Sequence, residues 1–525
     1  MRALLLVLAL ACTGPAAAQT LTVEGGRLDG LTLASGIRAW LGVPFAAPPV
    51  RELRWRPPQS AKPWTGVFHA DRFAPMCLQP LRSRTMNHYF GEEAISEDCL
   101  YLNVWAPARP APKGRPYPVV VWIYGGAFNV GSASMANYDG ARLAEKGVVR
   151  VNLAYRVGAL GFLSHPELTR EGGGASGDYG LMDQIAGLKW VQRNISAFGG
   201  DPRSVTIVGQ SAGSMSVALL QQSPLARGLF HRVVGMSGSP FGELLSPIPL
   251  KDAEAQGLEL QKVLGAHSLE EMRDLPGDRV LAAQVRRDPV VIDGRVITAA
   301  PEQVFAAHAQ SDVPIMIGFT RDESFRPLGR PHDVAEYQAL VRKAFPRTAD
   351  AILEAYPVST DAEVGRAVAD LQRDATVGRQ MAEWARAQAR FGKSAAYVWR
   401  FERRQPYAPG IRFIDHDPAT AGAYHAGDVP YWFRTLGSLN LFRKTRLWEP
   451  GDQRLSEDMS DMLVAFARRG APSPAWPAFD PARPRIMRLG FDGGAIEWPR
   501  YSALDLLDAT APSREPATAA GRPRD

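Results

Sequence analysis

Residues 205–213 read V-T-I-V-G-Q-S-A-G. A run of β-forming residues ends at a glycine, and Ser211 lies between that glycine and a second one. The next residues are small and apolar, as at the start of a buried helix. A strand, a tight G-x-S-x-G turn and a helix form the setting of a nucleophile elbow, in which backbone strain holds a serine hydroxyl out at the end of a sheet. The alternative is an ordinary turn whose serine caps the helix.

Other apolar runs extend this interpretation to the whole chain. They are continuous rather than alternating, which is typical of strands covered on both faces. They occupy residues 119–124, 148–155, 205–208 and 313–319. Helical patterns lie between and after them, over residues 180–198, 333–356 and 361–392. Strands that alternate with helices predict an α/β fold with a large, mostly parallel central sheet flanked by helices.

The two ends of the chain differ from the middle. A basic residue, an apolar run and small residues predict a signal peptide over residues 1–18. The alternatives are a buried helix and a lipoprotein site at Cys12. We expect residues 19–509 to form a single domain and residues 510–525, which are polar and proline-rich, to be a disordered tail. Export predicts a secreted or periplasmic protein, and no later apolar run is long enough to span a bilayer.

Composition and charge exclude several classes of protein. Hydrophobic residues make up 46% and charged residues 22% of the chain, as in a globular protein with a large core. The formal net charge is +6, but the basic residues are scattered rather than clustered, so no nucleic-acid partner is expected. Cys77 and Cys99 lie outside the predicted signal peptide. In an exported chain such a pair favours a disulfide over two free thiols.

A serine nucleophile needs a base within hydrogen-bond reach and an acid that orients the base. After a nucleophile elbow these follow in the order acid, then histidine. The last apolar run leads into T-R-D-E-S, which offers Asp322 or Glu323 as the acid. The base is then His332, His416 or His425. His332 lies too close to the acid in sequence, and chain order alone does not separate the other two.

A glycine-rich segment could hold the negative charge that develops during acyl transfer. W-I-Y-G-G-A-F at residues 122–128 places two glycines and an alanine directly after a strand. Backbone N–H groups of such a loop, with the N–H of Ala212 after the serine, can form an oxyanion hole. The alternative is a plain strand-to-loop turn.

Several segments, in order, resemble the type-B carboxylesterase family of the α/β-hydrolase fold, the cholinesterase-like group. The resemblance covers nearly the whole chain outside the predicted signal peptide, and S-E-D-C-L-Y-L-N-V-W is its most specific part. The matching segments are 40–49, 53–58, 96–105, 155–163, 180–192, 198–202 and 209–213.

The resemblance implies a serine carboxylic-ester hydrolase that works through an acyl-enzyme. Ser211 would be the nucleophile, Glu323 the acid and His425 the base, since H-A-G-D-V-P-Y-W-F from His425 onward matches the family's histidine segment. His416 would be a structural residue or a residue at the rim of the site. No metal or organic cofactor is required, and the expected partner is a small ester. An amidase, lactonase or thioesterase, or a non-catalytic binding or adhesion protein on the same fold, is the alternative.

The same resemblance implies further site residues. The oxyanion donors would be Gly126, Ala127 and Ala212, and a disulfide between Cys77 and Cys99 would close a loop over the active-site gorge. Ala127 stands where the family mostly has a third glycine. A wide oxyanion hole of this kind is linked in the family to esters of bulky alcohols.

Two departures from the family bear on the substrate. The loop between the cysteines has no tryptophan, which cholinesterases use to hold choline, and carries Arg82 and Arg84 instead. Gln210 replaces the glutamate that usually precedes the serine. This change either removes a negative charge that influences the choice of substrate, or is a neutral substitution within a hydrogen-bond network. We therefore expect neutral or anionic esters rather than choline esters, in a pocket formed by Gln210, Gly125, Phe128, Arg82 and Arg84.

Overall fold

The computed structural model describes residues 20–91, 94–242, 246–283, 285, 288–325 and 327–510. The predicted signal peptide, with Cys12, and the predicted tail beyond residue 510 lie outside the described residues.

An eleven-stranded sheet forms the centre of the described molecule. Its strands are β1 (Leu31–Thr32), β2 (Arg38–Pro44), β3 (Tyr101–Ala106), β4 (Tyr117–Ile123), β5 (Val149–Leu153), β6 (Gly200–Gln210), β7 (Arg232–Met236), β8 (Ile315–Thr320), β9 (Ala396–Phe401), β10 (Arg485–Leu489) and β11 (Gly494–Glu497). Their order across the sheet is β11-β10-β9-β8-β7-β6-β4-β5-β3-β2-β1. Neighbours from β10 to β5 in this order pair in parallel, and antiparallel pairs occupy the two edges.

Strand β4 shows why the apolar runs do not alternate. Every side chain from Val119 to Ile123 has 0% exposure. Val121 lies in register between Val151 of β5 and Ile207 of β6. Because helices cover both faces of the central strands, neither face presents side chains to solvent, and apolar residues occupy successive positions. The predicted mostly parallel sheet flanked by helices is confirmed.

Helices follow the strands in the alternating order that the sequence predicts. They are α1 (Ala141–Ala144), α2 (Gly158–Gly161), α3 (Pro166–Glu171), α4 (Tyr179–Asn194), α5 (Ala212–Gln222), α6 (Leu250–Leu264), α7 (Leu269–Asp274), α8 (Gly277–Ala282), α9 (Pro301–Ala306), α10 (Val334–Ala344), α11 (Ala349–Ala355), α12 (Asp361–Arg373), α13 (Arg379–Phe391), α14 (Val429–Trp432) and α15 (Pro450–Arg469). Within the described residues, none of them combines the length and the apolarity that crossing a bilayer requires.

The predicted helix over 333–356 is wrong in one respect, since it is two helices. α10 ends before Phe345, whose φ of −132° and ψ of 63° are not helical. Pro346 follows, and the residue before a proline is disfavoured in the helical region. The predicted helix over 361–392 is continuous, with a π-helical turn at Asp374–Gly378 between α12 and α13.

Short strands lie outside the large sheet. Leu21–Val23, Gly26–Asp29 and Val67–His69 form a three-stranded sheet, Met76–Cys77 pairs with Ile95–Ser96, and Ile248–Pro249 pairs with Val291–Ile292. In the large sheet, parallel pairing brings the carboxyl ends of β4, β6, β7 and β8 to one edge. The polar residues that follow these strands are therefore placed close together.

Candidate active site

Ser211 lies on a sharp turn between β6 and α5. Its φ of 58° and ψ of −125° lie outside the regions that non-glycine residues normally occupy. The turn is held in place because the Ser211 N–H donates to the Met236 carbonyl on β7 at 2.7 Å. A Cβ on Gly209 would collide with the carbonyl of Gly213, and one on Gly213 would collide with the carbonyl of Ile123. Both glycines of G-x-S-x-G are therefore required by close backbone packing.

The acid and base candidates meet at the same sheet edge. Glu323 follows β8, and its Oε2 is hydrogen-bonded to Nδ1 of His425. Its Oε1 accepts the Thr320 N–H at 2.6 Å and the Ser237 hydroxyl at 2.8 Å. Both carboxylate oxygens are thus occupied, and the side chain is 0% exposed. This arrangement fixes the tautomer of His425, with the proton on Nδ1 and the lone pair on Nε2.

The neighbouring acid, Asp322, has a different role. It forms ion pairs with Arg321 and Arg366. It also accepts the Ala423 N–H at 2.7 Å, which ties the segment before His425 to the end of β8. Asp322 is therefore a structural anchor.

The other histidine candidates lie elsewhere. His416 is hydrogen-bonded to the Tyr407 hydroxyl, and burial together with the Arg446 charge lowers the pKa of His416 to about 4. His332 is exposed, and its N–H donates to Glu336 at 2.8 Å. Within the described residues, only His425 bonds to the carboxylate at the end of β8.

Nε2 of His425 lies against a residue that the sequence did not connect to it. Nε2 of Gln210 is 3.0 Å from Nε2 of His425. Gln210 itself is buried, with 4% exposure. Among the residues that the structure describes, the Ser211 hydroxyl makes no hydrogen bond. In this conformation His425 is therefore engaged by Gln210 rather than by Ser211.

The predicted oxyanion loop runs directly beside the elbow. A Cβ on Gly125 would lie 2.9 Å from Cβ of Ser211. Gly126 (φ 123°), Ala127 (φ 53°) and Phe128 (φ 59°) are three consecutive residues with positive φ. The backbone accommodates the Cβ of Ala127 in the left-handed region, which costs about 1 kcal/mol.

The three predicted oxyanion donors are free in this conformation. In the described part of the chain, the N–H groups of Gly126, Ala127 and Ala212 have no hydrogen-bond acceptor. Ala212 is the first residue of α5, where an unpaired N–H is normal. Whether these donors act as an oxyanion hole stays a prediction.

The loop between the two cysteines contacts the segment that carries His425. Cys77 and Cys99 form the predicted disulfide, with a Cα–Cα distance of 4.9 Å. His88 Nε2 is 3.1 Å from the hydroxyl of Tyr424, the residue before His425. Burial and the Arg82 charge hold the pKa of His88 well below its usual value.

The remaining predicted pocket residues differ in their surroundings. Arg82 is half-buried and donates to the His88 carbonyl at 3.2 Å. It forms no ion pair with any carboxylate of the described residues. Arg84 is exposed. The Phe128 ring is fully buried and packs edge-on against Phe162 at 5.0 Å, so it supports the loop from behind.

Sequence reasoning missed two groups that act on the acid–base pair, one by a hydrogen bond and the other through its charge. Ser237, directly after β7, donates its hydroxyl to Glu323. A polar residue at the carboxyl end of a parallel strand indicates a site residue, and this signal was present in the sequence. Asp428, three residues after His425, is 0% exposed. Burial and the Glu323 charge raise the pKa of Asp428 to about 6. Its Oδ2 accepts from Trp432 Nε1 at 3.1 Å, and its Oδ1 has no partner among the described residues.

The sheet, the elbow and the buried acid–base pair define a serine hydrolase of the α/β-hydrolase fold. Comparison with known proteins identifies its family. A model described as the Carboxylesterase family matches residues 17–502. The chain belongs to this family, and the protein is a type-B carboxylesterase that hydrolyses esters as a serine hydrolase.

Individual relatives agree with this assignment. The chain is 36% identical over 495 residues to the fumonisin B1 esterase of Sphingopyxis macrogoltabida, covering 90% of this chain and 87% of that protein. It is 32% identical over 487 residues to the para-nitrobenzyl esterase of Bacillus subtilis, covering 88% and 92%. A solved structure of PNB esterase superposes with a TM-score of 0.76 and 31% identity, over 94% of this chain and 100% of that chain.

Proposed function

We propose that this carboxylesterase uses Ser211 as the nucleophile, His425 as the base and Glu323 as the acid that orients it. The observation that carries the proposal is the buried Glu323 carboxylate on Nδ1 of His425, at the sheet edge where Ser211 directly follows β6. With Nδ1 protonated, Nε2 can take a proton from a serine hydroxyl. Glu323 then stabilises the imidazolium that forms.

The reaction follows from these positions. The Ser211 hydroxyl oxygen attacks the ester carbonyl carbon while His425 Nε2 takes the hydroxyl proton. The N–H groups of Gly126, Ala127 and Ala212 donate to the carbonyl oxygen as it becomes negative. The bond to the alcohol oxygen breaks as His425 returns the proton to that oxygen. Water then attacks the acyl-serine in the same way and releases the carboxylic acid and free Ser211.

We propose neutral or anionic esters as substrates rather than choline esters. Gln210 puts an uncharged amide beside the acid–base pair, and both oxygens of Glu323 are already occupied. Arg82 forms no ion pair with a carboxylate of the described residues, so its charge is available to an anionic group of the substrate. The similarity to a fumonisin B1 esterase makes that ester one member of the set to be tested.

The first experiment measures hydrolysis of p-nitrophenyl esters of increasing acyl length. Ser211→Ala is expected to lower kcat about 10⁴-fold or more while the protein stays folded. Activity that survives this substitution would reject the proposed mechanism.

The second experiment compares matched cationic, neutral and carboxylate-bearing esters. We expect kcat/KM for the neutral and carboxylate-bearing esters to equal or exceed that for the cationic ester at low ionic strength. A clear preference for the cationic ester would overturn the proposed substrate class.

A third experiment uses esters of tertiary alcohols to test how bulky an alcohol group the site accepts. Hydrolysis is expected because Ala127 keeps the N–H donor of the proposed oxyanion hole. A rate no higher than the background would exclude bulky alcohols.

We also propose that residues 19–509 act as one exported domain. One hydrophobic core connects residues from Val23 to Leu507. The Cys77–Cys99 disulfide is typical of oxidising compartments outside the cytoplasm. The protein purified from its native compartment is expected to begin at Gln19, which N-terminal sequencing would test; a mature chain that still begins at Met1 would contradict export by cleavage.

A further inference from the structure

Three contacts hold the imidazole of His425. Nδ1 is bonded to Glu323, the Phe325 ring packs edge-on at 4.9 Å, and Nε2 faces Nε2 of Gln210 at 3.0 Å. Gln210 and Ser211 are adjacent at the carboxyl end of β6, and in the proposed mechanism the Ser211 hydroxyl must also reach Nε2 of His425. Both side chains can therefore compete for one nitrogen.

The chemistry of the contact fixes its direction. Because Glu323 accepts the Nδ1 proton, the neutral imidazole has only a lone pair on Nε2. The amide NH₂ of Gln210 is therefore the donor and Nε2 the acceptor. That same lone pair must take the proton of Ser211 when the hydroxyl attacks. A hydrogen bond from Gln210 thus stabilises the neutral, resting form of the base and has to break before catalysis.

We propose that Gln210 is a positioning residue that keeps His425 neutral and directed away from Ser211 until substrate binds. The proposal rests on the proposed roles of Ser211 and His425. A donor on Nε2 stabilises the neutral imidazole, whereas an acceptor there would stabilise the imidazolium. The amide at position 210 therefore keeps the base available at more acidic pH than a carboxylate would.

Other titratable groups surround the imidazole and are shared by every variant at position 210. Glu323 lies on Nδ1. Asp428 follows on the same segment, and its charge acts on His425. His88, on the disulfide loop, is also coupled electrostatically to His425, and its burial keeps it neutral. Since these groups are unchanged, a difference between the variants reports the contact at Nε2.

The test compares wild type, Gln210→Met and Gln210→Glu. Methionine nearly preserves the length of the side chain and removes the donor, whereas glutamate replaces the donor with a charged acceptor. The readout is the pH midpoint of the acidic limb of kcat/KM for p-nitrophenyl acetate, a neutral ester, because kcat/KM reports the free enzyme. Thermal melting of each variant checks that it is folded.

The expected midpoints rise in the order wild type, Gln210→Met, Gln210→Glu. Loss of the donor is expected to move the midpoint up by a few tenths of a pH unit, and the carboxylate by about one unit or more. At a pH one unit below its new midpoint, Gln210→Glu would then be about tenfold slower relative to its own plateau. Coincident midpoints, or a Gln210→Met midpoint at or below that of wild type, would overturn the proposal.

Combining each variant with Ser211→Ala separates this proposal from the proposed function. Activity that remains in the Ser211→Ala background would reject the nucleophile itself. Loss of activity in the Ser211→Ala combinations, together with coincident midpoints in the three enzymes that retain Ser211, would reject only the role of Gln210. If Gln210→Glu does not fold, the order of wild type and Gln210→Met still decides the question.

Discussion

The elbow at Ser211 and the disulfide loop of residues 77–99 are held in place by different physical means. At the elbow, backbone lies against backbone: the carbonyls of Gly213 and Ile123 leave no room for a Cβ on Gly209 or Gly213. The loop depends on side chains that come from far along the chain. Arg446 Nη2, for example, donates to Asn87 Oδ1 at 2.6 Å, across 359 positions of sequence.

This difference explains why the two regions vary differently from the family pattern. A backbone-packed turn allows few residue types, so the family's G-x-S-x-G is kept. A loop held by polar side chains allows its surface residues to change as long as the anchors remain. A loop side chain such as Arg82 can therefore vary more freely than the glycines of the elbow, whose backbone is tightly packed.

The largest effect is expected from Glu323→Gln, which keeps the size of the side chain and removes its charge. A neutral amide cannot hold the His425 tautomer or stabilise the imidazolium, so kcat should fall about 10⁴-fold with little change in KM. Steady-state kinetics on a p-nitrophenyl ester measures this. The matched control is Asp322→Asn, which loses ion pairs but no contact with His425 and should stay within about fivefold of wild type. Equal losses in the two variants would contradict the assignment.

Gly213→Ala tests the elbow as a packed structure. Its new Cβ meets the Ile123 carbonyl on β4, which cannot move without distorting the centre of the sheet. We expect the free energy of unfolding to fall by about 3 kcal/mol or more, measured by denaturant melts. Gly365→Ala is the control, because that glycine lies in α12 with open space around it. It should raise stability by about 0.5–1 kcal/mol. An elbow variant as stable as the control would show that the turn can relax.

The disulfide loop is tested by replacing Cys77 and Cys99 together with alanine. The bridge joins residues separated by 22 positions. In the chain-entropy model its loss lowers the free energy of unfolding by about 3 kcal/mol. We expect kcat/KM for a small neutral ester to change less than tenfold at 25 °C, because the elbow has its own packing. Reducing agent should lower the melting temperature of wild type but not that of the double variant. A wild-type protein insensitive to reduction would contradict the expectation.

The smallest effect is expected at the loop surface. Arg82→Gln should lower kcat/KM for a carboxylate-bearing ester about tenfold relative to its neutral analogue, and the difference should shrink as salt is added. Arg84→Gln is the matched control, since Arg84 is exposed and should change the ratio by less than about twofold. If the two arginines behave alike, Arg82 does not contact the anionic group.

The sequence by itself determined the parts of this protein that local packing rules dictate. Burial on both faces requires continuous apolar runs, so the sheet was predictable. A turn with no room for side chains requires the paired glycines, so the turn at Ser211 was predictable as well. Chain order limited the acid to Asp322 or Glu323. The disulfide followed from two cysteines in a chain with a predicted export signal.

Chain order and local pattern left open which of two adjacent or similar residues reaches the site; the resemblance favoured Glu323 and His425, and only the tertiary structure shows their contacts. Asp322 and Glu323 are neighbours, yet one binds arginines and the other binds His425. Although the resemblance favoured His425, only the fold places His416 against Tyr407 and Arg446. The contact between Gln210 and His425 joins residues 215 positions apart, and no local pattern encodes it. Such pairs depend on long-range packing and on the direction of each side chain, which propensity and periodicity do not specify.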